Sequence, residues 1–240
     1  MTVVGNNGIK VLDHGYVRFV EDWGHGDALE QEAGIIEAAR QSTQGSFRGW
    51  DEDFRLLSYL YTSRPKHATP FEFAGMTVEV QAPIFVFREW YRHRVQSFNE
   101  MSARYAPIPD LNYLPTVERC LVTLVANKQA GAVAGSKVID EAAAHRFRED
   151  LRTSYEQAEA VYRVSLAAGV SKELARCCLP VGRYSRMRAS ANLRNWLAFL
   201  TLRMDEKAQW EIRQYANAVA VIIAERFPRV WSLFASEMGR

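Results

Sequence analysis

The spacing of apolar side chains predicts a chain made mostly of helices, with a few strands. Val11 to Glu21 is rich in β-branched and aromatic residues and predicts a strand. Gly24-His25-Gly26 breaks it. Asp27, with Glu30 three residues on, has the form of a capping box and predicts a helix from Ala28 to about Gln41. Phe54, Leu57 and Leu60 or Tyr61 fall on one side of a second helix, Asp51 to Ser63, which Ser63-Arg64-Pro65 stops. Phe73 to Gln81 alternates, with Met76, Val78 and Val80 against Thr77, Glu79 and Gln81, and predicts a strand. Pro83 suits the first position of a helix through about Arg94, in which Ile84, Phe87, Tyr91 and Val95 recur at helical steps. Pro107 and Pro109 mark a loop. A long helix follows, from about Ser136 or Asp140 to Ala168, closed by Gly169. Ser171 caps a short helix ending at Pro180, and Leu193, Leu197 and Leu200 mark another. The last helix has Asp205 as its cap, Ile212, Tyr215, Val219 and Ile222 or Ile223 on its buried face, and Pro228 as its end.

No internal repeat or low-complexity linker interrupts this pattern. The strands are too few and too scattered for alternating βαβ units. The prediction is an α+β fold, a single helix-rich domain over residues 1–240 with a small, mostly antiparallel sheet. At 240 residues and 48% hydrophobic, the chain can bury the core such a domain needs.

Composition narrows the partners. With 30 basic and 28 acidic side chains the net charge is only +2, too small an excess for a protein that coats nucleic acid. Cys120, Cys177 and Cys178 form neither a disulfide framework nor a zinc spacing, so no metal site is expected. No apolar run approaches the roughly 18 to 20 residues of a membrane span. The N-terminal residues lack the basic and apolar regions of a signal peptide. The expectation is a cytoplasmic protein with no membrane and no nucleic-acid partner. Gly24-His25-Gly26-Asp27-Ala28-Leu29 lacks the third glycine and the βαβ setting of a dinucleotide fingerprint, and reads as a turn with a helix cap.

The chemistry concentrates between Arg92 and Tyr105, where fourteen residues hold three arginines, a histidine, two serines, an asparagine and a glutamate. Guanidinium forks bind phosphate oxygens bidentately, and hydroxyls and amides add neutral hydrogen bonds. The segment therefore suits a phosphate-bearing ligand. By composition it equally suits a solvated helix face with ion pairs such as Glu89 to His93. It also suits a nucleic-acid patch with Tyr91, Phe98 and Tyr105 stacking on bases.

The order of residues separates these readings. Arg92-His93-Arg94, Ser97, Asn99-Glu100, Ser102 and Arg104-Tyr105 resemble, at fixed spacing, the signature of the flavin-dependent thymidylate synthases. His67-Ala68-Thr69-Pro70-Phe71-Glu72 is similar to the family's His-x-Thr-Pro-Phe-Glu. A third stretch runs from Ala175-Arg176-Cys177-Cys178-Leu179-Pro180 through Tyr184, Asn192, Arg194, Phe199-Leu200 and Leu202-Arg203. Together the three cover about a third of the chain.

The resemblance implies reductive methylation of dUMP to dTMP, with 5,10-methylenetetrahydrofolate as one-carbon donor and FAD, reduced by NADPH or NADH, as hydride carrier. It implies a homotetramer whose active sites draw on several subunits. It assigns dUMP contacts to Glu89, Arg92, Glu100, Ser102, Arg104, Arg176 and Arg203, and FAD contacts to Thr69, Arg92, His93, Arg94, Glu100, Asn192 and Arg194. His67 falls near the flavin and folate. Arg203 is the catalytic residue, a fixed cation at the uracil ring that favours ionisation at N3 and so raises the ring's nucleophilicity. An arginine in the last turn of its helix also compensates the helix dipole without any catalysis. Ser102 reads as a binding hydroxyl, since no adjacent base is evident, and no cysteine takes a catalytic role. This chain departs from the family at Ala198, where relatives often carry His or Asn, at Phe73, a common histidine, and at Glu89, glutamine in some relatives. An ionised carboxylate at position 89 cannot donate a hydrogen bond. The rival function is a nucleotide- or RNA-binding protein that uses the Arg-rich segment without turnover.

Overall fold

The computed structural model describes residues 8–27, 30–122 and 139–239. Its centre is a five-stranded sheet in the order β1-β2-β3-β5-β4, with every adjacent pair antiparallel. The strands are β1 (Ile9–Val11), β2 (Gly15–Trp23), β3 (Gly75–Pro83), β4 (Ser97–Glu100) and β5 (Tyr184–Asn192). The helices are α1 (Ala33–Arg40), α2 (Trp50–Thr62), α3 (Ile84–Trp90), α4 (Val117–Leu121), α5 (Glu141–Ala167), α6 (Lys172–Ala175), α7 (Leu193–Arg203), α8 (Trp210–Arg226) and α9 (Pro228–Glu237). The expected helix-rich α+β architecture is what forms.

Strand alternation sorts side chains onto two faces. Val17, Val78, Val80, Met187 and Ala189 point to one side and are buried there with Trp196, Phe199, Tyr215, Val219 and Ile223 from α7 and α8. Full burial of each large apolar side chain contributes roughly 1.5–3 kcal/mol, which makes this face the main source of stability. The opposite side carries the exposed Arg186, Arg188, Ser97 and Asn99. α5 stands apart from this core and buries only Ala144 and Tyr162.

Several boundaries differ from the sequence expectation. The strand expected over Val11 to Glu21 is a hairpin, because the chain reverses at Leu12, whose φ is +58°. The reversal is held by Asp13, which accepts hydrogen bonds from the Leu114 amide at 2.9 Å and from the Tyr184 hydroxyl. α1 begins at Ala33 and not at Ala28, with no side-chain cap. Residues 28 and 29 lie outside the described set, as does the alternative start at Ser136. Asp140 is the cap of α5 and accepts from the Ala143 amide at 2.7 Å. Pro83 precedes α3 instead of opening it, and Gln209, not Asp205, precedes α8. Pro228 ends one helix and opens the next, α9, as the first-turn position permits.

The largest correction concerns β5. It lies between β3 and β4 and closes the sheet, yet no strand was expected there. α3 also stops at Trp90, short of Arg94, so that the chain can return along β5 as β4.

Candidate functional site

The turn from α3 into β4 carries Arg92, His93 and Arg94, and three contacts hold it rigid. The buried indole of Trp90 donates to Gln96 Oε1 at 2.9 Å. The Asn195 amide, from the first turn of α7, donates to the Val95 carbonyl at 3.0 Å. The His93 ring meets the Phe199 ring edge-on, with centroids 4.9 Å apart, and Phe199 stacks on Trp90 at 4.7 Å. With its apolar neighbours tied down, the turn projects Arg92 and Arg94 into solvent. Among the described residues neither guanidinium has an acidic partner.

Arg203, the last residue of α7, reaches this turn. Its Nε donates to His93 Nε2 at 2.8 Å, Nη1 to Glu89 Oε2 at 2.8 Å, and Nη2 to the Glu89 carbonyl at 2.9 Å. That carbonyl belongs to the last turn of α3, where its backbone bond, from the Arg92 amide at 3.4 Å, is long. Arg203 thus completes the C-terminus of a helix other than its own. Glu89 and His93 do not pair with each other as an i, i+4 couple, because both address Arg203. Since His93 Nε2 accepts from a guanidinium, the imidazole must be neutral. Burial first, then the nearby Arg203 charge, pushes its pKa down to about 4.

The second cluster lies beyond the other end of β4. Arg104 Nε is 3.1 Å from Glu173 Oε2, and Arg176 Nε donates to the Glu173 carbonyl at 3.3 Å. Glu173 therefore brings together two arginines that are 72 positions apart, the spacing of Arg104 and Arg176 in the sequence. Ser102 Oγ accepts from the Arg104 amide at 3.3 Å and shapes the turn that presents Arg104. No base holds the Ser102 proton among the described residues. Glu100 accepts from the Tyr91 hydroxyl at 2.7 Å, which fixes its carboxylate at the edge between the two clusters. Among the described hydrogen bonds and ion pairs of this one chain, none links the Arg203 cluster to the Arg104 and Arg176 cluster.

A third group surrounds the start of α7. Asn192 caps the helix by accepting from the Asn195 amide at 3.0 Å, which leaves its own NH2 available. Arg194 pairs with Glu72 in the turn that begins at Thr69. His67 is exposed and stacks on Tyr59 with centroids 5.5 Å apart. Beside Arg194 a cavity of about 200 Å³ has a floor of Leu60, Phe71, Leu197 and Phe234, and Ala198 lies in its wall. Lys66 and Glu237 line it as well. Two larger cavities, of about 550 and 490 Å³, contain none of the expected site residues.

Sequence reasoning missed three supports of this site. Glu173 is exposed and gave no signal beyond its neighbourhood to Arg176. Asn195 and Gln96 hold the turn through single hydrogen bonds, which no pattern of hydrophobicity reveals.

Comparison with known proteins shows the family. The family described as thymidylate synthase complementing protein matches residues 27–229. A flavin-dependent thymidylate synthase of Thermus thermophilus is 39% identical over 230 residues, 96% of this chain and 79% of the relative. One of Thermosipho melanesiensis is 37% identical over 225 residues, 94% of this chain and 92% of the relative. Among solved structures, the UMP/dUMP methylase PolB of Streptomyces cacaoi bound with 5-Br UMP superposes with a TM-score of 0.77 at 31% identity, covering 95% of this chain and 96% of that one. The fold and these relatives place the chain among the nucleotide-methylating enzymes. The chain belongs to the thymidylate synthase complementing protein family, the family of these flavin-dependent thymidylate synthases.

Proposed function

We propose that this protein is a flavin-dependent thymidylate synthase that converts dUMP to dTMP, with 5,10-methylenetetrahydrofolate as one-carbon donor and NADPH as reductant. The observation that carries the reading is Arg203, anchored by Glu89 and His93 beside Arg92 and Arg94, two cations with no acidic partner among the described residues. A guanidinium has five N–H donors, and three of those on Arg203 are engaged within the chain. Two remain for a ligand edge.

Each residue then has work suited to its chemistry. Arg92, Arg104 and Arg176 neutralise the nearly dianionic phosphate of dUMP, with Ser102 and Glu100 adding hydrogen bonds and Glu89 closing the site beside Arg203. Arg203 supplies fixed positive charge where negative charge develops as the pyrimidine loses its N3 proton. Such preorganised charge is worth about 10²–10³ in rate when one donor is removed. His93 stays neutral, so it accepts from Arg203 and adds no charge of its own against it.

The donor set also fits FAD. Arg92 and Arg94 suit its pyrophosphate, while Thr69, His93, Glu100, Asn192 and Arg194 suit the ribityl chain and ring edges, with His67 nearby for folate or nicotinamide. When bound, the flavin supplies the hydride that completes the new methyl group. The cavity beside Arg194, about 200 Å³, falls below the roughly 300–1,000 Å³ of a small-molecule site. That shortfall supports a homotetramer in which neighbouring subunits complete each site and join the two arginine clusters. The reading carries with it cytoplasmic action on small molecules, without nucleic acid or membrane.

One assay tests it. Under anaerobic conditions the purified protein, given dUMP, methylenetetrahydrofolate and NADPH, is expected to bleach its flavin band and to release dTMP. Bleaching without dTMP would reduce the protein to a flavin reductase. A colourless protein whose RNA affinity falls steeply with salt would restore the rival reading.

A further inference from the structure

Glu89 holds Arg203 twice over. Its carboxylate takes Nη1 and its own carbonyl takes Nη2, both within 2.9 Å. The carbonyl cannot move, because it belongs to the last turn of α3, and the chain beyond α3 is tied down through Trp90 and Gln96. The Glu89 side chain is 43% exposed and the Arg203 side chain only 15%. The carboxylate therefore forms the outer wall of the guanidinium's seat. Among the described residues it has no other cationic partner.

We propose that Glu89 is the positioning residue for Arg203, the group that fixes which two of the guanidinium's donors face the substrate. The inference rests on the proposed synthase reading, and it differs from a role for Glu89 as a direct dUMP contact. An ionised carboxylate can only accept, and the donor that Glu89 Oε2 takes in this structure is Arg203 Nη1. The carbonyl and His93 fix one edge of the guanidinium, and the carboxylate closes the remaining rotation. Without it the carbonyl and His93 bonds remain possible, but the guanidinium can swing outward on its flexible stem. A displacement of about 1 Å of a preorganised group is enough to cost on the order of 100-fold in rate.

The test compares Glu89→Ala with Glu89→Gln in the intact holoenzyme. Positioning predicts that Glu89→Ala lowers kcat by roughly 100-fold while the KM and the calorimetric Kd for dUMP change by less than about 3-fold. Glu89→Gln keeps an oxygen acceptor for Nη1 and should recover most of that loss, staying within about 10-fold of the parent in kcat. A crystal structure of Glu89→Ala should show the guanidinium displaced from His93. The inference is overturned if Glu89→Ala raises KM and Kd with kcat kept, which would make Glu89 a substrate contact. It is equally overturned if the Gln variant loses as much as the Ala variant, or if Arg203 stays in place without the carboxylate. A parent enzyme that forms no dTMP would fail the synthase reading itself. The displaced or undisturbed guanidinium of the Ala variant would still decide the positioning claim.

Discussion

Arg203 Nε donates a hydrogen bond to His93 Nε2 at 2.8 Å, so a permanent cation and a titratable ring share one contact. The contact exists only while the ring is neutral. Burial and the guanidinium charge together push the His93 pKa down to about 4, from an ordinary value near 6.5.

A pH dependence of stability follows from that shift. Between about pH 4 and 6.5 the unfolded chain binds a proton at residue 93 that the folded chain refuses, so stability rises with pH across this window. The contribution is complete above about 6.5 and is lost as pH falls toward 4. Melting temperatures measured from pH 4 to 7 should drop more steeply toward acid for the parent than for His93→Gln, which keeps an acceptor for Arg203 but cannot titrate. Parallel curves for the two proteins would contradict the neutral ring.

Arg203→Ala is expected to lower kcat by at least about 10²–10³, to the point of abolishing turnover in an ordinary assay, while the protein still purifies with flavin. Arg203→Lys should recover little, since an ammonium cannot reach His93 Nε2, the Glu89 carboxylate and the Glu89 carbonyl at once. The readouts are the rate of dTMP formation and the flavin absorbance of the same samples. A near-normal rate in either variant removes Arg203 from the chemistry.

The central signature was legible in the sequence because its residues are consecutive and chemically unusual, and the structure does set Arg203 against His93 and Glu89. The element that joins these parts was not legible. In β5, Ser185, Met187, Ala189 and Ala191 face the core while Arg186 and Arg188 face out, a strict alternation. Small residues and arginines carry weak strand preference, so the alternation gives little strand signal. What makes the segment a strand is pairing on both sides, Val78 with Ala189 in β3 and Phe98 with Ala189 in β4, and such pairing is invisible to a local reading. The hairpin at Leu12 was missed for a related reason. Its turn rests on Asp13 contacting Leu114 and Tyr184, both about a hundred or more positions away.

Glu173→Ala should separate substrate grip from folding. The Arg104–Glu173 ion pair is exposed, with side chains 58% and 57% accessible, and pairs of that kind contribute about 0–1 kcal/mol to stability. The melting temperature should hardly move. Arg104 loses its carboxylate partner, while Arg176 keeps its bond to the residue 173 carbonyl, so the KM for dUMP should rise several-fold while kcat stays close to the parent value. A large loss of stability, or a loss confined to kcat, would show that the Glu173 carboxylate does something other than hold Arg104.

Arg183→Ala should do the opposite and harm folding more than substrate grip. The Arg183 side chain is 1% exposed. Nη1 donates to Asp110 Oδ1 at 2.7 Å, Nη2 donates to the Ile108 carbonyl at 3.2 Å, and Nη2 also lies 2.8 Å from Glu159 Oε2. This one side chain ties the Pro107–Pro109 loop, the middle of α5 and the start of β5 together. Glu159 is 12% exposed; Oε1 keeps Arg163 Nε at 2.6 Å, and removing Arg183 leaves Oε2, buried beside it, without a cation. Breaking a buried pair from one side costs roughly 3–5 kcal/mol. Asp110 is 44% exposed, and both carboxylates keep Arg163 as a partner, which places the expected loss at the lower end, about 3 kcal/mol. Urea denaturation of the two proteins at pH 7 measures it. A loss under about 1 kcal/mol would mean that the loop and α5 are held to β5 by packing alone.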